Sequence, residues 1–572
     1  NEISTFPDYP ADIRAPQGTL TGVSGFQVHV GSDKVYTPGD KCDVLVAMNP
    51  AALKTQYKFC KPQSVIIIDT DSFTKRDLEK AQFQLENPFS ELGIKNEVVE
   101  AAITTMCKES LKDSGLDNKT IMRTKNMFAL GLVCWLFHRD ITIGEKLLRE
   151  KFAKKPEIAE ANVKVLHDGY HFGENTHASI STSYTVPTKK AMQPGRYMDI
   201  NGNKAAAYGL IAAAEKSGLQ LYLGSYPITP ATDILHELAK HKSLGVKTVQ
   251  CEDEIAGCAS AVGAAFAGAL AVTTTSGPGV CLKSEAMNLA VITELPLVII
   301  DVQRGGPSTG LPTKSEQTDL LQALYGRNGE SPMPVIAATS PTDCFDAAFM
   351  ACKIAVEHMT PVILLSDAYI ANGSAAWHLP NLNDYPAIVP PYVKPEMAGS
   401  WTPFQRNPQT GVRYWATPGM KGFMHRIGGL EKSNETGAIS TEPENHNLMT
   451  RLRAEKVERI AASIPDLEVE GDADADLLIV GFGGTYGHLH SAMDAMNRHG
   501  KKAALAHFKF INPLPRNTEA VLRRYKKIVV AEQSMGQFAG YLRMKIEGLH
   551  LHQFNQVKEL VDAFERILAS DM

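Results

Sequence analysis

The chain has 572 residues, of which 44% are hydrophobic and 21% charged, and its formal net charge is −5. This composition is that of an ordinary folded protein, which excludes wholesale disorder and fibrous or coiled-coil architectures. The mild acidic balance is spread along the chain and argues against nucleic acid as the main partner. At ~150 residues per domain, the length predicts three or four domains.

Short apolar runs alternate with helical patterns, and this alternation predicts an α/β protein with several parallel-sheet domains. The first predicted α/β domain spans residues 1–167. Its strands are predicted at 44–47 and 65–68, and a helix is predicted at 96–108. A segment rich in Thr, Ser, Gly and His predicts a linker at 168–203.

A second α/β domain is predicted at 204–375. Its strands are almost continuously apolar, which is typical of a parallel sheet with both faces covered by helices. These strands are predicted at 219–223, 271–275, 297–302 and 362–366.

Two further segments complete the chain. Residues 376–465 are rich in Pro, Gly and aromatic residues and predict a connector that ends in a helix at about 446–463. The last predicted α/β domain spans 466–572, with strands at 476–480 and 528–531.

The cysteines and the apolar segments indicate the compartment. Nine cysteines are scattered without a C-x-x-C pair, so we expect reduced thiols and no iron–sulfur cluster in this chain. The uncharged stretch 255–282 is interrupted by the Ser-Gly-Pro-Gly sequence at 276–279, which favours a buried helix and strand over a membrane span. We therefore expect a cytoplasmic protein without membrane association.

Two patterns resemble metal or nucleotide sites. His236 and His241 are five residues apart, which places them ~140° apart on a helix instead of on the one face that a zinc pair needs. The glycine-rich turn at 481–487 misses the G-x-G-x-x-G spacing, and the next strand at 503–508 has no acidic residue for a ribose. We predict no metal site here and interpret the turn as structural.

Polar residues follow three strands of the second domain, where ligands bind in open parallel sheets. The first group is Tyr-Pro-Ile-Thr-Pro at 226–230, in which Thr229 is predicted as a helix N-cap and Pro230 as the first helical residue. A helix N-terminus that carries a hydroxyl suits a carboxylate ligand. A helix that is merely capped explains the same residues.

The other two strand ends carry Glu254 and Arg304. Glu254 precedes a helix that has no charged residue and must therefore be buried. A carboxylate at such a buried edge is suited to acid–base catalysis. Arg304 precedes the glycine-rich segment 305–310, which suits bidentate capture of a carboxylate. A phosphate-binding loop and a structural salt bridge are the alternatives at Arg304.

Four motifs occur in one order and together resemble the alpha subunits of 2-oxoacid:ferredoxin oxidoreductases, and the 2-oxoglutarate type with a fused gamma domain in particular. They are Tyr-Pro-Ile-Thr-Pro at 226–230, Glu-Asp-Glu-Ile-Ala at 252–256, Thr-Ser-Gly-Pro-Gly at 275–279 and Gln-Arg-Gly-Gly-Pro-Ser-Thr-Gly at 303–310. The resemblance extends over nearly the whole chain, through segments of the gamma domain, connector and C-terminal domain at 12–20, 44–49, 428–431, 442–446, 512–515, 532–533 and 536–537.

The resemblance implies a domain architecture. Residues 1–167 correspond to the gamma domain, but the glycine-rich segment with which that domain usually opens is missing from them. We expect either that this segment precedes residue 1, since the sequence does not begin with Met, or that the domain is incomplete. Residues 204–375 correspond to a pyrimidine-binding domain for thiamine diphosphate. Residues 466–572 correspond to a transketolase C-terminal-like domain.

It also implies roles for individual residues. Glu254 would bind N1′ of the thiamine diphosphate aminopyrimidine and so activate the cofactor. Thr229 and Arg304 would hold the 1-carboxylate of the 2-oxoacid. The pyrimidine and substrate pocket would be lined by Tyr226, Pro227 and Ile228. These three residues complete the predicted site. Coenzyme A would take the acyl group, and the electrons would pass to ferredoxin.

The chain lacks the G-D-G motif with which thiamine enzymes hold the Mg²⁺-diphosphate, since Gly471-Asp472-Ala473 is the nearest sequence. The resemblance therefore implies a beta subunit with Mg²⁺, the diphosphate site and a [4Fe–4S] cluster, in a heterotetramer of two alpha and two beta chains. The expected substrate is 2-oxoglutarate, with oxidative decarboxylation or reductive carboxylation as the direction. Arg14, Lys283 and partner residues are candidates for its distal carboxylate.

Three alternative functions differ from this one in substrate or in class. Pyruvate or a broad range of 2-oxoacids is the close alternative substrate. A non-catalytic scaffold subunit is the alternative of another class, although it would have no need for Glu254, Thr229 and Arg304 together. An NAD-dependent dehydrogenase is disfavoured because the acidic ribose ligand is missing.

Overall fold

The computed structural model describes residues 2–10, 15–176, 182–186, 193–472, 474–556 and 559–570. They divide into two compact units. Unit 1 comprises Asn1–Ile3 and Pro7–Met192, and unit 2 comprises Ser4–Phe6 and Gln193–Met572. Among the helices of these described ranges, none is long and apolar enough to cross a bilayer.

Unit 1 holds a three-stranded parallel sheet and a group of helices. The strands in the first part of the chain are β1 (Glu2–Asp8), β2 (Gly25–Gly31), β3 (Cys42–Ala47), β4 (Cys60–Asp69) and β5 (Glu97–Ala101). The helices are α1 (Pro50–Gln56), α2 (Lys75–Lys80), α3 (Pro88–Leu92), α4 (Ile103–Ser110), α5 (Asn118–Met122), α6 (Lys125–Leu136), α7 (Thr142–Lys151) and α8 (Pro156–Asn175).

The sheet of unit 1 has the order β3-β4-β5, with β3 and β5 both parallel to β4. Both predicted strands of this region are present. The helix predicted at 96–108 is wrong in its first half, because Val98 and Val99 pair with Ile66 and Ile67 and so form strand β5. Helix α4 starts only at Ile103.

Helix α8 continues to Asn175, so the first eight residues of the predicted linker at 168–203 are helical. Gly169 indicates a loop in the sequence, but in the structure it lies in helix α8 and allows this helix to pack closely on α6. A Cβ on Gly169 would lie 2.0 Å from the carbonyl oxygen of Phe128 in α6, and one on Gly131 of α6 would lie 2.0 Å from that of Leu166. The two helices can approach this closely only where both side chains are absent.

We therefore expect Gly169→Ala to lower the free energy of unfolding of unit 1 by about 1–3 kcal/mol, because the helices must separate to admit the methyl group. Calorimetry of the full chain measures the effect. The matched control is Gly540→Ala in another helix, where a Cβ meets no atom of the described residues within 4 Å. This substitution should raise the free energy of unfolding by up to about 1 kcal/mol. Equal midpoints for the two variants would contradict this account of α6 and α8.

Unit 2 contains the remaining elements. Its strands are β6 (Tyr197–Asn201), β7 (Leu221–Ser225), β8 (Lys247–Gln250), β9 (Leu270–Thr275), β10 (Leu297–Gln303), β11 (Val335–Ala337), β12 (Pro361–Asp367), β13 (Ser374–His378), β14 (Glu470–Gly471), β15 (Leu477–Phe482), β16 (Ala503–Phe508), β17 (Phe510–Asn512), β18 (Lys527–Ala531) and β19 (His552–Phe554). Its helices are α9 (Gly202–Ser217), α10 (Thr232–Leu238), α11 (Glu254–Phe266), α12 (Gly277–Leu282), α13 (Ser284–Thr293), α14 (Leu320–Tyr325), α15 (Asp343–His358), α16 (Ala368–Asn372), α17 (Pro443–Arg459), α18 (Tyr486–Arg498), α19 (Thr518–Leu522), α20 (Gln537–Lys545) and α21 (Leu560–Ala569).

The main sheet of unit 2 has seven strands in the order β17-β11-β12-β10-β9-β7-β8, and all of them except β17 are parallel. Alternate residues of β10 belong to two different cores. Val298 and Ile300 pack with α9 and α15, whereas Leu297 and Ile299 pack with α11 and α13. The parallel sheet with both faces covered, predicted from the apolar strands, is thus present.

A second sheet of unit 2 has five strands in the order β14-β16-β15-β18-β19. Its glycine-rich turn after β15 packs against the main sheet domain. A Cβ on Gly484 would lie 2.1 Å from Oδ2 of Asp367, and Gln317 donates from Nε2 to the carbonyl oxygen of Phe482 at 2.7 Å. The glycines therefore allow close contact with a neighbouring carboxylate.

A buried ionic cluster joins the predicted connector, residues 376–465, to the sheet domain. Glu294, at the end of α13, pairs through both carboxylate oxygens with Arg406 and also with Lys456 of α17. Arg413 donates from Nε to the backbone carbonyl of Glu294 at 3.0 Å. Burial opposes ionisation of Glu294, but Arg406 and Lys456 outweigh it and hold the pKa of this carboxyl well below its usual range. Burial lowers the pKa of Lys456 to about 8.

Candidate active site

The carboxyl ends of four adjacent strands, β10, β9, β7 and β8, meet at one edge of the main sheet. Hydrogen bonds join these ends to one another. Ser225 at the end of β7 donates from Oγ to the carbonyl oxygen of Thr274 at 2.9 Å, and its own carbonyl accepts the N–H of Cys251 at 2.9 Å. The sequence motifs that follow these strands are therefore brought together.

Glu254 is the first residue of α11 and lies at this edge. Asp253 caps the helix by accepting the N–H of Ala256 at 2.7 Å, which fixes the backbone at Glu254. The Glu254 side chain is buried and lies beside Gly279. A Cβ on Gly279 would lie 3.0 Å from Cγ of Glu254 and 1.9 Å from Oγ1 of Thr275. The Thr-Ser-Gly-Pro-Gly motif thus contacts the glutamate through a position that has no room for a side chain.

Lys283 lies beneath Glu254. Its ammonium is fully buried and donates to the backbone carbonyl of Glu254 at 3.1 Å and to Oγ1 of Thr273 at 3.2 Å. Burial lowers the pKa of Lys283. This placement removes Lys283 as a candidate for the distal substrate carboxylate, and Arg14 lies outside the described residues.

Arg304 and Thr229 meet at the same edge, because Arg304 donates from Nη1 to the carbonyl oxygen of Thr229 at 2.6 Å. The prediction that Thr229 is a helix N-cap is wrong. Helix α10 begins at Thr232, whose N–H donates to the carbonyl of Ile228, and Ala231 is the cap residue. Thr229 instead lies in the preceding turn, with its side chain exposed and its carbonyl turned to the guanidinium.

The three residues before Thr229 form the rest of the turn. Tyr226 is exposed, whereas Pro227 and Ile228 are half-buried and Ile228 packs on the core of the main sheet. Tyr226 directly follows Ser225, the last residue of β7, so this residue lies at the edge that holds Glu254.

A pair of neighbouring carboxylates at this edge, one buried and one half-buried, was not predicted from the sequence. Asp301 of β10 is fully buried. This burial, and secondly the nearby carboxylate of Asp319, raise the pKa of Asp301 well above its ordinary value. Burial raises the pKa of Asp319 to about 6. The carboxylate of Asp319 fills the space beside Gly277, where a Cβ would lie 2.6 Å from its oxygens. The available signal was an aspartate inside the otherwise apolar strand 297–302.

Several polar groups at this edge have no hydrogen-bond partner among the described residues. Ser276 Oγ and Arg304 Nε are buried without a partner. No donor from the described part of the chain is bonded to the carboxylate of Glu254 either. Unpartnered buried groups are costly unless a ligand engages them, so this arrangement can hold a polar heterocycle and an anionic group side by side.

Comparison with known proteins places these motifs in a family. Residues 213–443 match the thiamine-diphosphate-binding family of pyruvate flavodoxin/ferredoxin oxidoreductases, residues 1–172 match the pyruvate ferredoxin/flavodoxin oxidoreductase family, and residues 475–567 match core domain II of pyruvate:ferredoxin oxidoreductase. The chain is 51% identical to the 2-oxoglutarate oxidoreductase subunit KorA of Mycobacterium tuberculosis, over 95% of this chain and 83% of that protein. The chain belongs to the 2-oxoacid:ferredoxin oxidoreductase family.

Two more distant relatives agree. The alpha subunit of 2-oxoacid:ferredoxin oxidoreductase 1 from Aeropyrum pernix is 30% identical over 78% of this chain and 70% of that protein. A solved 2-oxoglutarate:ferredoxin oxidoreductase from Magnetococcus marinus, with 2-oxoglutarate, coenzyme A and succinyl-CoA bound, matches with a TM-score of 0.84 and 29% identity. That match covers 99% of this chain and 94% of the other. The family, the enzyme class and the thiamine-diphosphate-binding domain expected from the sequence are confirmed, whereas the predicted domain boundaries stay predictions.

Proposed function

We propose that the chain is the alpha subunit of an enzyme that oxidatively decarboxylates 2-oxoglutarate, with coenzyme A as acyl acceptor and ferredoxin as electron acceptor, or that catalyses the reverse carboxylation. The observation that carries the proposal is the convergence of the unpartnered Glu254 carboxylate and the Arg304 guanidinium at one sheet edge. The names of the relatives from Mycobacterium tuberculosis and Magnetococcus marinus support 2-oxoglutarate as the substrate. The proposed site of action is the cytoplasm.

The residues at the edge fit the aminopyrimidine end of thiamine diphosphate. Gly279 keeps the space beside the Glu254 side chain open, and Ser276 offers a buried hydroxyl that has no partner among the described residues. When bound, thiamine diphosphate supplies the electron sink that decarboxylation of a 2-oxoacid requires. Glu254 would share a proton with the aminopyrimidine N1′. Its position is fixed by burial and by the Asp253 cap at the start of α11.

Arg304 and Thr229 would bind the 1-carboxylate of the substrate. The guanidinium is oriented by its bond to the Thr229 carbonyl, which leaves its unpartnered Nε as a donor for an anion. The exposed hydroxyl of Thr229 adds a second donor. Tyr226, Pro227 and Ile228 would supply the wall of the pocket.

We propose that a beta subunit supplies the diphosphate site and the iron–sulfur cluster. The sequence of the present chain contains no G-D-G motif and no C-x-x-C pair. The proposed partner carries Mg²⁺, the diphosphate site and a [4Fe–4S] cluster, and two copies of each chain form a heterotetramer. Anaerobic affinity purification from the host, with mass analysis and a visible spectrum, tests this arrangement. We expect a brown complex with a smaller cysteine-rich chain, and a colourless protein without a partner would contradict it.

We expect Arg304→Lys to raise the KM for the 2-oxoacid by about 10- to 150-fold, because losing one or two charge-assisted hydrogen bonds costs about 1.5–3 kcal/mol. A lysine keeps the charge but not the fork of donors that holds both a carbonyl and a carboxylate. Steady-state kinetics of the holoenzyme measure the change, and the KM for coenzyme A serves as the internal control. If both KM values rose together, Arg304 would be a structural residue instead.

The close alternative is an enzyme that accepts many 2-oxoacids. The relative from Aeropyrum pernix is named for 2-oxoacids in general. The two versions differ in whether pyruvate is converted as well as 2-oxoglutarate, which steady-state turnover on the two acids distinguishes.

A further inference from the structure

Two cysteines of unit 1 lie side by side on neighbouring strands. Cys42 is the first residue of β3 and Cys60 is the first residue of β4, and the two are register partners in this parallel pair. Their sulfur atoms are 3.9 Å apart. Both side chains are half-buried, so a small reagent can reach them.

We propose that Cys42 and Cys60 form a redox-reactive dithiol, which a peroxide converts into a disulfide within the chain. Adjacent strands are ~4.8 Å apart, and this separation lies inside the range of Cα distances of ~4.4–6.8 Å that disulfides span. The sulfur atoms must approach by only ~2 Å to reach bonding distance. Because both cysteines stand at strand starts, a side-chain rotation supplies that movement without displacing the sheet.

The chemistry of the pair is asymmetric. When Cys42 is ionised, the S–H of Cys60 donates to its thiolate, and this bond lowers the pKa of Cys42 to about 7 against the effect of burial. The same contact raises the pKa of Cys60. Two ionic neighbours flank the pair, since Asp43 follows Cys42 and is ion-paired at 2.5 Å with Lys61, which follows Cys60. Cys42 is therefore the nucleophile and Cys60 the thiol that resolves the product.

The reaction consumes one peroxide. The Cys42 thiolate attacks the O–O bond and becomes a sulfenic acid, while the released hydroxide takes up a proton to form water. The sulfur of Cys60 then displaces the sulfenic oxygen, which leaves as a second water, and the S–S bond forms. Two thiols are oxidised by two electrons, and hydrogen peroxide is reduced to two molecules of water.

The test treats the full chain with hydrogen peroxide, blocks the remaining thiols by alkylation and analyses the peptides by mass spectrometry. We expect a peptide pair joined through Cys42 and Cys60, which reverts to two free thiols after reduction. Cys134 is the matched control, because it is half-buried in the same unit and burial raises its pKa. It should stay free to react with the alkylating reagent.

A second variant fixes the order of events. In Cys60→Ser the sulfenic acid at Cys42 has no resolving thiol, so dimedone should trap it there. Two results would overturn the proposal. One is that Cys42 and Cys60 stay as alkylatable as Cys134 after peroxide treatment. The other is that Cys42 is oxidised further in the wild-type chain while Cys60 stays a free thiol.

Discussion

Glu254→Gln is expected to lower the kcat of the assembled enzyme by about 10²–10⁴-fold, the usual contribution of a positioned acid–base group. Glutamine has the same size and fills the same space beside Gly279, so the helix and the sheet edge should be unchanged. Its amide cannot hold and release the proton that the carboxyl group holds. The KM for the 2-oxoacid should change little, since the substrate carboxylate is assigned to Arg304.

Glu252→Gln is the matched control for this experiment. Glu252 lies two residues earlier in the same turn, but its side chain is exposed. The control should keep the kcat of the wild type, and both variants should keep the thermal midpoint of the wild type. Wild-type turnover in the Glu254 variant would remove the proposed mechanism.

Glu294→Gln is expected to lower the free energy of unfolding of unit 2 by about 3–5 kcal/mol, because it leaves buried cations without their counter-charge. Arg406 and Lys456 would lose their carboxylate, and both side chains are almost fully buried. Urea unfolding followed by far-ultraviolet circular dichroism measures the effect. The control is Glu455→Gln, which removes an exposed pair with Arg459 and should cost under about 1 kcal/mol.

The same carboxylate predicts a dependence on pH. The pKa of Glu294 in the folded chain lies well below its value in the unfolded chain. The stabilisation is therefore complete above the unfolded pKa, at about 4.3, and is lost as the pH falls below it. The wild type and Glu294→Gln should differ most near neutral pH and converge in acid. A constant difference down to low pH would contradict the ionic account of the cluster.

The sequence predicts the main sheet well, because fully buried parallel strands have almost only apolar residues. The strand predicted at 297–302 is observed as Leu297–Gln303, and that at 362–366 as Pro361–Asp367. It predicts less well where a local pattern fits two structures. Residues 96–101 fit a helix by spacing, but pairing with β4 makes them a strand, and that pairing is not visible locally.

The candidate site shows the same limit. The motifs identify which strand ends carry Glu254, Thr229 and Arg304, since parallel strands place their carboxyl ends at one edge. The residues around Thr229 favour an N-cap in the sequence. In the structure, the carbonyl oxygen of Thr229 instead accepts a hydrogen bond from Arg304, which is 75 residues away in sequence. Such long-range bonds decide between local alternatives, and no local pattern contains them. The proximity of Asp301 to Asp319 is likewise a product of the fold, which no local pattern contains.

We propose that this chain provides half of a thiamine-dependent site for 2-oxoglutarate. The most direct measurement is the initial rate of ferredoxin reduction by the complex of both subunits, with coenzyme A and either 2-oxoglutarate or pyruvate. We predict turnover with 2-oxoglutarate that requires coenzyme A and both subunits, and much slower turnover with pyruvate. The absence of turnover with 2-oxoglutarate from an intact brown complex would contradict the account.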